Sequence, residues 1–298
     1  GGTHGNEIGS YMAGVVLVEN LRVTQGTVYV IPRTNRSGLT CTDPGDAAPE
    51  RIHIETQSGL RWFKYGSRAT NPIDQWPDPD AYQQKSQTNG EGQTLSGSEC
   101  RNINRCYPGR PDGNFTEKVA YGICQLIRTE DVNLTIDLHE ASPEYPNINS
   151  TVAHEDTMPV AATGLFNLQL EGIDIKLEPS PVNLRGLTHR EIGDYTDSMA
   201  ILMETCNACQ GRIRGATNEH LAITGQDKDY NILVDYGLLY VPYDETGHPL
   251  EERAGRHLSG VQAYVEAMST TNPEIAVKIE NIPHFAEMME NGIGSYLH

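Results

Sequence analysis

Positive charge is what this chain is short of. Its 298 residues hold 22 lysines and arginines against 40 aspartates and glutamates, a formal net charge of −18. A field of that sign repels phosphate backbones and anionic lipid surfaces, so no nucleic acid and no membrane is expected as a partner. Long hydrophobic runs are missing as well: no apolar stretch approaches the roughly 20 residues needed to cross a bilayer. Cysteine is sparse. Cys41, Cys100, Cys106, Cys124, Cys206 and Cys209 are too few for a disulfide scaffold in a chain of this length, and Cys206-x-x-Cys209 lacks the second pair of a zinc knuckle. Ordinary thiols, or one or two disulfides, are the expectation. No secretory leader is visible, but the chain opens directly on a motif, so its compartment stays open between cytoplasmic and exported. Oligomeric state is equally open.

What is present is globular. Hydrophobic residues make up 37%, with 29 glycines and 17 prolines for loops, and the length suits one large α/β domain over residues 1–298. Helical spacing of apolar residues runs from Glu7 to Leu21, from Phe115 to Thr129, from Thr157 to Leu170 and from Glu251 to Ser269, with a short helix over Pro283 to Glu290. Short continuous apolar runs predict strands at Thr27–Ile31, Leu134–Leu138, Ile173–Leu177 and Met199–Met203. Residues 37–100 differ in kind, being rich in Gly, Pro, Asn, Gln, Ser and Asp, and predict an irregular insertion over the surface or across a site. Helices alternating with short apolar strands imply an α/β fold, a sheet covered by helices on both faces. Working groups in such a fold stand at strand ends.

Two residues stand there. His139 ends the run Thr-Ile-Asp-Leu-His, and Glu204 ends Ala-Ile-Leu-Met-Glu. The chain itself starts on Gly1-Gly2-Thr3-His4-Gly5-Asn6-Glu7, where an imidazole and a carboxylate three residues apart suit one Zn²⁺ ion. A catalytic zinc takes three protein ligands and keeps one position open, so a third ligand must arrive from elsewhere, and His139 is the best candidate. Asn104-Arg105, before the Pro108-Gly109 turn, offers a guanidinium fork and an amide suited to a carboxylate.

Taken in order, Gly-Gly-Thr-His-Gly-Asn-Glu, Asn-Ile-Asn-Arg-Cys-Tyr-Pro-Gly, Asp-Leu-His and Met-Glu-Thr resemble the zinc carboxypeptidase superfamily. The opening motif looks most like its succinylglutamate desuccinylase and aspartoacylase branch. The resemblance spans residues 1–205. It implies a mixed, mostly parallel sheet flanked by helices, with zinc held by His4, Glu7 and His139. Asn104 and Arg105 would hold the substrate carboxylate, and Glu204 would be the catalytic carboxylate. An oxyanion-side arginine is implied too, with Arg101, Arg33 and Arg36 as candidates. Tyr195 is the nearest counterpart of the mobile tyrosine of the peptidase branch, and Arg185, His189 and Arg190 share its segment.

Three departures qualify the likeness. Asn102 stands where aspartoacylase-like members carry an acid, residues 251–298 look helical as in the peptidase branch, and the family's first strand would precede the zinc motif. The implied activity is zinc-dependent hydrolysis of an amide in a small-molecule or short-peptide substrate with a free carboxylate. It takes two forms, an N-acyl amino acid deacylase or a metallocarboxypeptidase. A non-catalytic metal- or ligand-binding protein on the same fold is the alternative of another class.

Overall fold

The computed structural model describes residues 1–43, 48–85 and 92–298. At its centre lies a four-stranded mixed sheet of β6 (Leu134–Ala141), β9 (Met199–Cys206), β7 (Ser150–Ala153) and β8 (Lys176–Pro179), in that order across the sheet. β6 runs parallel to β9, and β7 runs parallel to β8, while β7 and β9 are antiparallel. The register sets His139 directly opposite Glu204. Two chemistry-bearing residues far apart in sequence thus become neighbours on adjacent strands.

Alternation along the strands sorts the core. Ile201 and Met203 of β9 join Leu138 of β6 in one large cluster with helices α1 (Ile8–Asn20), α3 (Met158–Leu170) and α7 (Leu250–Thr271). Ala200 points the other way, into a cluster with α2 (Phe115–Thr129) and α4 (Thr188–Tyr195). Successive side chains of a strand must leave on opposite faces, so His139 and Asp137 share the side opposite Leu138. α1 is buried all round from Ile8 to Leu17, as befits a helix without a polar face. Its glycines permit close approach: Gly9 N–H donates to Glu140 Oε2 at 2.8 Å.

Among the described residues three two-stranded ribbons complete the strands: β1 (Arg22–Gln25) with β10 (Lys278–Glu280), β2 (Arg51–Thr56) with β3 (Gly59–Lys64), and β4 (Ala81–Lys85) with β5 (Gly92–Ser96). The latter two lie in the irregular insertion. Short helices α5 (Glu219–Thr224), α6 (Lys228–Val234) and α8 (Phe285–Asn291) fill the remainder. Among the described residues no helix is long and apolar enough to cross a membrane. All six cysteines are free thiols.

One strand expectation fails. Thr27–Ile31 forms no ladder; it lies across a groove of about 480 Å³ from Glu130–Leu134, Ile136 and Leu138. β-branched residues favour extended backbone, but a strand also needs a partner edge within hydrogen-bonding reach. Strand pairing occurs instead just upstream, at Arg22–Gln25. The strand expected at Ile173–Leu177 also begins later, at Lys176.

Candidate active site

Backbone hydrogen bonds pin the opening turn to the insertion. Gly5 N–H donates to Ser67 O at 2.8 Å, Gly66 N–H donates to Gly5 O at 2.9 Å, and Ser67 N–H donates to Gly38 O at 2.8 Å. A Cβ on Gly66 would stand 2.9 Å from Gly38 O and 2.9 Å from the Gly5 Cα, so only glycine lets the insertion come this close. The insertion thereby clamps the turn that carries His4 and Glu7. Glu7 stands just before α1, and its side chain makes no capping bond to that helix.

His4, Glu7 and His139 converge, one donor atom of each lying within 4.8 Å of the others, all three buried. His4 Nδ1 lies 2.6 Å from Glu7 Oε1, and His139 Nδ1 lies 3.0 Å from Glu7 Oε2. Behind each imidazole sits an acceptor. His139 Nε2 lies 2.7 Å from Asp137 Oδ2, which also accepts from Thr188 Oγ1 at 2.7 Å, and Asp137 Oδ1 accepts from Thr3 Oγ1 at 2.8 Å. His4 Nε2 lies 2.9 Å from Asn102 Oδ1, which also accepts the Asn104 N–H at 3.0 Å. Both Nε2 atoms must therefore donate, which turns both Nδ1 atoms toward Glu7. Histidine ligands are commonly oriented this way by an acceptor on the far nitrogen.

Electrostatics follows from crowding. Burial alone would lower the His139 pKa, but the facing Asp137 and Glu7 carboxylates outweigh it and hold the ring well above its ordinary range. Burial keeps His4 below that range, Glu7 pulling only partly the other way. At Glu204 burial wins against the pull of His139 and Arg68: it pushes the carboxyl up to about 8, and Oε2 has no hydrogen-bond partner. Two imidazoles and a carboxylate are a donor set suited to zinc. An orphaned buried carboxylate oxygen next to them is costly unless a ligand or water uses it.

The other candidates divide. Asn104 is buried and its Oδ1 accepts the Thr188 N–H at 2.9 Å, leaving its Nδ2 without an acceptor among the described residues. Arg105 is drawn down in pKa by burial and then by Arg68, and Glu99 Oε2 lies 3.5 Å from its Nε. Arg101 does not serve the site, because its guanidinium is gripped by Asp78 at 2.7 and 2.9 Å and donates to Thr70 O. Tyr195 ends α4 and packs against the second core cluster, with Arg128 stacked 5.1 Å from its ring centre. Arg33 and Arg36 are exposed. Arg185 and Arg190 are paired with Glu191, Glu155 and Asp194. Those pairs occupy the carboxylates of Glu155 and Asp194, which with His154 form the second group among the described residues close enough to hold an ion. His189 bonds Ser180 Oγ at 2.8 Å, and burial drives its pKa down to about 3.

Arg68 went unnoticed in the sequence. It follows Gly66-Ser67, the residues that clamp the opening turn, and its charge acts on His4, Arg105 and Glu204 alike. No carboxylate pairs with its side chain among the described residues. An unpaired arginine is notable in a chain this poor in cations. Asp137 was also missed, though its place two residues before His139 on one strand face was a readable signal.

No family model matches the chain, and no curated protein does. Solved structures of the cell shape determinant protein Csd4 from Helicobacter pylori share its fold. The apo form is 12% identical with a TM-score of 0.51, over 97% of this chain and 52% of that one. The tripeptide-bound form is likewise 12% identical at 0.51, over 97% and 53%. A form bound to mDAP, described as a D,L-carboxypeptidase, is 11% identical at 0.49, over 94% and 51%. This chain thus spans about half the length of the chains it resembles.

Proposed function

We propose that the chain is a zinc-dependent hydrolase that cleaves the amide bond beside a free carboxylate, of the carboxypeptidase kind. The observation that carries this is the meeting of His4, Glu7 and His139 beside a half-buried Glu204 whose buried Oε2 has no hydrogen-bond partner. Zinc held by those three would supply a nucleophile at neutral pH and polarise the scissile carbonyl.

The chain's own groups do the rest. Glu204, made basic by burial, accepts the proton of the attacking water at its free Oε2 and returns it to the leaving nitrogen. Arg105 and the free Nδ2 of Asn104 hold the substrate carboxylate, which brings the neighbouring amide to the metal side. Arg68 faces the charge that develops on the carbonyl oxygen. The peptidase form is favoured because the fold is shared with a protein whose structures hold a tripeptide and a product. The opening Gly-Gly-Thr-His-Gly-Asn-Glu favours a second form, a deacylase of N-acyl amino acids.

The test is turnover by the zinc-loaded chain on short peptides, D,L-linked ones included, and on N-acetylaspartate and N-succinylglutamate. Glu204→Gln should keep zinc and lose about 10²- to 10⁴-fold in rate. Absence of zinc-dependent cleavage across the whole panel would overturn the class.

A further inference from the structure

A chain of contacts joins the carboxylate anchor to the metal ligand. Arg105 Nε lies 3.5 Å from Glu99 Oε2. The same oxygen accepts the Asn102 Nδ2–H at 2.9 Å. At the other end of that amide, Oδ1 accepts from His4 Nε2 at 2.9 Å. Asn102 cannot turn over to break the sequence, because the Asn104 N–H also binds Oδ1 as the cap of the turn Ile103–Arg105.

The two histidines are therefore backed unequally. His139 has a carboxylate directly behind it, whereas His4 has a neutral amide whose polarity depends on Glu99. A hydrogen bond to one end of an amide strengthens the bond at the other. The Arg105–Glu99 contact is long, and the two side chains are 22% and 29% exposed, so an arriving anion can compete for it.

We propose that Glu99 and Asn102 are positioning residues that couple carboxylate binding at Arg105 to metal binding at His4. This rests on the reading of Arg105 as the carboxylate anchor and His4 as a zinc ligand. When a ligand carboxylate takes the guanidinium, Glu99 loses part of its counter-charge and bears more fully on the Asn102 amide. Oδ1 then draws harder on the His4 Nε2–H, and Nδ1 becomes the stronger donor. By linkage, metal strengthens carboxylate binding by the same factor.

The test is zinc affinity of the full chain by chelator competition, with and without saturating 3-phenylpropanoate, a carboxylate with no amide to cleave. Its own binding is followed by calorimetry. In the unsubstituted protein the carboxylate should tighten zinc about fivefold, the low end of ordinary coupling. Glu99→Gln keeps an acceptor for Asn102 but no charge, and should reduce that factor to below about twofold. Asn102→Leu should weaken zinc about 10- to 100-fold even without the carboxylate. Equal coupling in the unsubstituted protein and Glu99→Gln would mean the carboxylate acts on the metal directly, and would sink the relay. No coupling in the unsubstituted protein sinks it as well, while leaving the hydrolase reading in place. Failure to bind zinc at all, or failure of 3-phenylpropanoate to bind, overturns the functional reading and the relay with it.

Discussion

Replacing Asp137 with asparagine removes the carboxylate behind His139 at nearly constant size. Three donors converge on that carboxylate: His139 Nε2, Thr188 Oγ1 and Thr3 Oγ1. They come from β6, α4 and the opening turn, so the group ties together the pieces of the site. Without metal, Asp137 and Glu7 overcome burial and hold His139 cationic, its pKa well above the ordinary value. A group whose pKa is raised on folding contributes its full stability below the unfolded value, about 6.5 for histidine. It loses that contribution as the pH climbs through the raised folded value. Breaking such a buried pair costs about 3–5 kcal/mol. In a chain of this length each kcal/mol moves the midpoint by about 2 °C, giving a drop of roughly 6–10 °C at pH 6. At pH 9, toward the side where His139 is neutral, the gap should narrow toward the roughly 1 kcal/mol of one neutral hydrogen bond. Zinc must displace the His139 proton, so zinc affinity should rise with pH across neutrality, and the variant should bind zinc about 10- to 100-fold more weakly. Thermal unfolding in chelator at both pH values and zinc competition at pH 7 read all three effects. Equal midpoints at pH 6 together with equal zinc affinity would refute the assignment of Asp137.

Other perturbations probe the remaining parts. Gly66→Ala places a Cβ 2.9 Å from Gly38 O, and should cost about 1–3 kcal/mol while loosening zinc; zinc binding unchanged in a folded variant would show that the insertion does not set the metal turn. Arg68→Ala should lower kcat about 10²-fold with KM little changed, because its charge is needed in the transition state. A rise in KM alone would make it a ground-state anchor instead. Arg105→Leu should raise KM about 10- to 100-fold, the worth of a charged hydrogen bond, and an unaltered KM for carboxylate substrates would remove it from the anchor.

What the sequence made legible was chemistry at places the backbone pins. His139 and Glu204 stand at strand ends, where the register alone decides that they face each other. His4 and Glu7 sit on a glycine turn whose spacing advertises ligands. Thr27–Ile31 and Tyr195 illustrate one limit: each reading rested on local order without knowledge of what lay alongside. An extended β-branched run beside β6 remains unpaired because strand pairing is a property of two edges. Tyr195 is near Glu204 in sequence, but α4 carries its ring into the second core cluster. Arg101 and Arg68 make the contrast sharpest. Arg101 lies four residues before Arg105, yet Asp78 from the insertion takes its guanidinium. Arg68 lies deep in that same insertion, far from any motif, and the Gly5–Gly66 backbone bond carries it to the metal turn. Which arginine is left free in an acidic chain depends on where the carboxylates fall in space. Long-range pairing between an irregular loop and a glycine turn is the one level of organisation that periodicity and spacing do not encode.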